Sequence, residues 1–95
     1  MQLYNLLKAN KEYFLRNQML DAAISIPSNI AEGCERGSKL EFKRFLRISK
    51  GSAAELRTQM YIAKKAGLIN DTEASNAISE LMQISRMLQG LIDSF

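Results

Sequence analysis

The sequence predicts an all-α fold, and three observations carry that prediction. The chain of 95 residues holds one proline and five glycines, far fewer turn formers than a β-protein needs. Its apolar residues recur at spacings of three and four through most of its length. Helix starts with capping residues precede two of these periodic stretches.

The elements can be justified in order. Residues 1–9 (MQLYNLLKA) read as a short helix with Leu3, Leu6 and Leu7 on one side, and Asn10 to Glu12 break it. Residues 11–32 read as a second helix, in which Phe14, Leu15, Met19, Ala22, Ala23, Ile26, Ile30 and Ala31 keep the helical period. Pro27 lies inside that pattern and predicts a kink near Ala23 to Ile26, because it lacks a donor and clashes with the preceding turn. Alternation of Ile24, Ser25 and Ile26 offers a short strand as the weaker reading. Gly33 to Gly37 (GCERG) reads as a loop.

Ser38 and Glu41 have capping-box spacing and open a third helix over Lys39 to Ala66. Its apolar face is Phe42, Phe45, Leu46, Leu56, Met60 and Ala63. Gly51, Ser52, Ala53 and Ala54 interrupt this face with small residues. Gly51 costs about 1 kcal/mol in helix propensity, and close approach of a neighbouring helix is the expected compensation. Gly67 is placed as a left-handed cap, with Lys64 and Lys65 in the last turn to complement the dipole. Asn70 or Asp71 caps a fourth helix, in which Ala77, Leu81, Ile84, Leu88, Leu91 and Phe95 form a heptad seam. The short connection Leu68 to Asn70 favours packing of that seam within the chain, as an antiparallel neighbour, over packing against another subunit.

Length allows one domain, residues 1–95. Apolar residues make up 46% and charged residues 24%, values that suit a soluble globular domain. No apolar run is long enough to cross a membrane, and the N-terminus lacks the features of a signal peptide. The single cysteine, Cys34, cannot form an internal disulfide, so a cytoplasmic setting is expected. The net charge of +3 is a mild indication of an anionic partner.

The stretch Gln18-Met-Leu-Asp-Ala-Ala-Ile-Ser-Ile-Pro-Ser-Asn-Ile-Ala-Glu-Gly33 resembles the signature of the bacterial 23S rRNA intervening-sequence proteins, a glutamine followed by AAxSIPxNIAEG. Arg36-Gly-Ser38, Glu41-Phe42, Phe45-Leu46, Gly51-Ser52, Glu55-Leu56 and Ala66-Gly67-Leu68-Ile69 continue the similarity, which is strong over residues 13–69. The resemblance implies a left-handed, up-down-up-down four-helix bundle and a homo-oligomer, a ring-shaped pentamer in related proteins. A related group, the accessory variability determinant proteins of diversity-generating retroelements, binds nucleic acid through a basic surface. The start of this sequence departs from the pattern, as in a shortened member or one read from an internal methionine. A nine-residue first helix spans about 14 Å against about 33 Å for a 22-residue partner. The upper groove is then open unless a neighbouring subunit fills it.

Catalytic chemistry has few residues to work with. There is no histidine, hence neither the commonest general base nor the commonest neutral metal ligand. Cys34 has no partner for a zinc site and no base to activate it. No phosphate loop is present, and the Glu-x-x-His of di-metal bundles is absent. The expectation is no enzyme, no metal, no cofactor and no small-molecule substrate. Within the family motif, Asn29, Glu32, Gly33, Ser38, Glu41, Ser52 and Glu55 read as structural. Gly33 shapes the turn and Glu41 caps. Glu32 and Glu55 are expected to pair with arginine across helices, beside Asn29 and Ser52, with buried Glu32 fixing helix register.

Arg36, Lys39, Lys43, Arg44, Arg47 and Lys50 are faced by Glu41 alone. Lys39, Lys43, Arg47 and Lys50 follow spacings of four, four and three, one stripe of the third helix. A phosphate backbone binds such a stripe by counterion release. A solvated helix face is the competing reading. The functional expectation is a non-enzymatic oligomer that binds RNA or DNA without base reading. The alternative is a structural or protein-interaction module. A membrane-surface role is not expected, since the basic stripe is short and the apolar faces are needed for the core.

Overall fold

The computed structural model describes the backbone of residues 2–95 and the side-chain surroundings of residues 12–95. These residues form three helices and no strand: α1 (Gln2–Glu35), α2 (Lys39–Lys65) and α3 (Asp71–Asp93). The first and second predicted helices are therefore one. No helix former is missing from Asn10 to Glu12 in the sense that matters, since neither glycine nor proline interrupts the backbone there, and polar residues carry a helix across solvent. The proposed apolar side of Leu3, Leu6 and Leu7 lies outside the described side chains. α1 also continues through Pro27 and three residues into the predicted loop, taking in Gly33, Cys34 and Glu35. The connection to α2 is tighter than expected, turning on Gly37 at φ +78.

The remaining boundaries follow their local chemistry. The Ser38 hydroxyl accepts from the Glu41 amide at 3.1 Å, capping α2 as predicted. α2 ends in a Schellman arrangement: Gly67 takes φ +76, Leu68 N–H donates to the Ala63 carbonyl and Gly67 N–H to that of Lys64. Of the two candidate caps of α3, Asn70 acts, its side chain accepting from Glu73 N–H at 2.8 Å.

α2 is the central helix. It packs against both α1 and α3, while α1 and α3 share no backbone contact among the described residues. The molecule measures 56 × 24 × 12 Å. With helices packing 8–10 Å apart, the unequal short dimensions fit an open arrangement with α2 at the corner, not a closed triangle.

Side chains still meet across this angle. Ala22 and Ile26 of α1, Ala53 and Leu56 of α2 and Leu81 of α3 form one buried cluster. Leu46, Leu88 and Ile92 form a second. The predicted apolar face of α2 is the one that packs: Phe45, Leu46, Leu56 and Ala63 are buried, with Phe42 and Met60 half-buried. On α3 the seam is displaced. Ala74, Ile78, Leu81, Leu88 and Ile92 are buried; Ile84 packs half-buried against both clusters, and with the exposed Leu91 it borders an apolar groove lined also by Ile26, Pro27, Ile30 and Met87. Gly51 is a second correction. It is exposed, and a Cβ there would meet nothing within 4 Å. Close packing is provided instead by Gly33, where a Cβ would lie 2.7 Å from Phe45 Cβ and 3.1 Å from Phe42 Cδ1.

Candidate nucleic-acid interface

The six predicted basic residues divide into two groups. Arg36 and Arg44 belong to the α1–α2 end. Arg36 Nη2 donates to Glu32 Oε1 at 2.9 Å, and Arg44 Nη1 to Glu41 Oε2 at 3.1 Å. Both guanidiniums also lie on the Phe45 ring, 5.1 and 5.2 Å from its centroid, a distance at which the ring quadrupole attracts a cation. Their charge is thus largely answered locally.

Lys39, Lys43, Arg47 and Lys50 form the second group, one stripe along α2 whose last member, Lys50, reaches α3. Lys39 and Arg47 are exposed, Lys43 and Lys50 half-buried. The described residues contain ion pairs at Arg36 and Arg44 only, so these four cations have no carboxylate partner among them. The register of Lys50 is fixed by α3: its Nζ donates to Gln89 Oε1 at 2.6 Å. Four cations on one helical edge with no counter-charge raise the local positive potential and attract an anionic polymer.

The structural motif residues have other roles than those expected for the acids. Glu32 is about half exposed and pairs with Arg36 within one connection, not across helices. Glu55 is exposed and accepts from Gln59 Nε2 at 3.4 Å. Both acids are exposed and each is bonded to the residue four positions on, so neither pairs across helices. Glu41 completes only half of a capping box: its amide is capped, but its carboxylate is spent on Arg44.

The α1–α2 seam is instead joined by neutral polar groups. Asn29 Nδ2 donates to the Ser25 carbonyl at 2.7 Å and to Ser25 Oγ at 2.8 Å. Ser25 Oγ and Ser52 Oγ are 2.7 Å apart, and Ser52 Oγ donates to the Ile48 carbonyl at 3.2 Å. With the Ser52 proton so placed, Ser25 is the donor between the two hydroxyls. Ser49, fully buried, donates to the Ile26 carbonyl at 2.8 Å. Ser25, Ser49 and the buried Gln59 were not singled out by sequence. The signal available was their position within otherwise apolar faces, at the same helical spacing as the core. The free Cys34 is exposed in the last turn of α1, not in a loop, and no cluster of potential metal ligands exists among the described residues.

Fold and site together define a helical protein, without a strand among the described residues, that is open along an apolar α1–α3 groove and carries a basic edge on its central helix. The chain matches the family model of the 23S rRNA-intervening sequence protein over residues 1–90 and belongs to that family. A crystal structure from Bacteroides thetaiotaomicron, described as a protein with unknown function from the S23 ribosomal protein family, shares the fold. It is 24% identical, with a TM-score of 0.82 over 96% of this chain and 85% of that one. No curated protein matches. Among the described residues, no helix is long and apolar enough to cross a membrane.

Proposed function

We propose that this chain is a non-catalytic, cytoplasmic, oligomeric helical protein that binds the phosphate backbone of RNA or DNA through the basic stripe of α2. The observation that carries this reading is the contrast between the two basic groups. Arg36 and Arg44 are neutralised by Glu32 and Glu41, while Lys39, Lys43, Arg47 and Lys50 line one edge without an acid. Aromatic rings near the basic residues are occupied: Phe45 lies beneath the two paired arginines, and Phe42 packs on Phe95 at 5.4 Å between centroids. Neither ring is a free platform for base stacking between Lys39 and Lys50, so binding by this stripe is sequence-tolerant. Homo-oligomerisation, as a pentamer, follows the family resemblance. It places a neighbouring subunit against the α1–α3 groove and gives the bundle its fourth helix.

The test is binding of a labelled structured RNA and a duplex DNA at two salt concentrations. Affinity for both falls steeply with salt, with a log–log slope of about −0.9 for each phosphate neutralised on duplex DNA. Lys43→Glu/Arg47→Glu weakens both. Absence of binding at low salt overturns the proposal.

A second reading is a protein-interaction module, favoured by the apolar groove between α1 and α3, where Met87 is 73% exposed. It predicts no affinity for RNA at physiological salt.

A further inference from the structure

The basic edge does not end at Lys50. Arg57 follows it by two helical turns, on the same face of α2, and Arg86 approaches from α3. Lys50, Arg57 and Arg86 line a groove of about 250 Å³ between the two helices, together with Met82, Ser85 and Gln89. We propose that this α2–α3 groove is a phosphate-binding site that takes a backbone phosphodiester of the nucleic acid, with Arg57 and Arg86 as its principal ligands. This rests on the nucleic-acid reading above and extends it to a second helix.

Four features support the assignment. The groove gathers three cations and no acid lines it. Neither Arg57 nor Arg86 has an ion-pair partner among the described residues, so both forks are available for bidentate contact with phosphate oxygens. Lys50 is already oriented toward the groove by Gln89, and the ammonium keeps two further protons to donate. The Gln89 amide is itself held by Asp93, which accepts from Gln89 Nε2 at 2.8 Å. Lys43, Lys50 and Arg57 succeed one another at about 10.5 Å of helix rise, so one strand running along α2 meets the edge first and the groove next.

The experiment compares wild type, Lys43→Glu/Arg47→Glu, Arg57→Gln/Arg86→Gln and Arg57→Lys/Arg86→Lys. Each is titrated with labelled duplex DNA and structured RNA over a range of salt, with circular dichroism as a check of folding. Arg57→Gln/Arg86→Gln is expected to lose affinity about tenfold or more and to flatten the salt slope by one to two. The lysine pair keeps the slope but loses part of the affinity, as the forked geometry is gone. NMR of the wild type with a short duplex is expected to shift the Gln89 side-chain amide and the Ser85 backbone amide, which decides the matter even if a variant fails to fold. Wild type that binds, and loses binding in Lys43→Glu/Arg47→Glu but not in Arg57→Gln/Arg86→Gln, overturns the groove alone. Wild type that binds nothing overturns both proposals.

Discussion

Gly33 and Phe45 hold α1 and α2 at a separation that admits no side chain between them: a Cβ on Gly33 would stand 2.7 Å from Phe45 Cβ. The obstacle is the root of a side chain, not its flexible tip, so relief requires the helices to part. Gly33→Ala gains about 1 kcal/mol of helix propensity but loses more through overpacking, which typically costs 1–3 kcal/mol. A net lowering of the thermal midpoint by several degrees is expected in calorimetry. A midpoint equal to or above wild type would show that the seam relaxes freely.

Gly51 gives the opposite expectation from the same substitution. It lies within α2, exposed, with open space where a Cβ would be. Gly51→Ala is expected to stabilise by about 0.5–1 kcal/mol through helix propensity and a less flexible unfolded chain. Urea unfolding should move its midpoint upward with the slope unchanged.

Ser25 and Ser52 should be energetically coupled. Each single alanine substitution strands the other's hydroxyl at a half-buried seam, at a cost of about 1 kcal/mol. The double variant is expected to cost less than the two singles together, with a coupling of at least 0.5 kcal/mol in a double-mutant cycle. Strict additivity would mean that solvent replaces the bond.

Glu32 carries a different forecast from the one its place in the motif suggests. Its pair with Arg36 is exposed on both sides, and such pairs contribute little. Glu32→Gln should leave the denaturation midpoint within about 0.5 kcal/mol of wild type. A loss of 3 kcal/mol or more would restore the register-fixing role.

Much of the fold could be read from the chain because its signals were local. The Ser38 cap, the Gly67 terminus and the apolar face of α2 depend on residues within one or two turns of each other. The errors arose where a neighbour decides. Residues 10–12 look like a break only if polarity is taken as interruption, yet a helix tolerates polar residues wherever it meets water. Leu81 and Leu88 belong to two overlapping heptads on α3, and only packing against α2 selects the one through Ala74, Ile78 and Ile92. Sequence puts Gly33 in a turn and Gly51 at a close helix approach, whereas the structure gives the close approach to Gly33. Their difference lies in what stands opposite. For the candidate site, spacing identified the stripe on α2 but could not show that Arg36 and Arg44 are answered by acids. Nor could it show that Arg57 and Arg86, 29 positions apart by number, border one groove.

The order of contacts has a consequence for how the chain acquires its structure. Among the described residues every backbone contact between helices joins neighbours in sequence, α1 with α2 and α2 with α3. The α1–α3 contacts are made by side chains alone, so the backbone pairings are two successive hairpins, and local pairing of this kind favours fast folding. During synthesis the α1–α2 hairpin, with its serine bridge and its Gly33 contact, can close while α3 is still emerging from the ribosome.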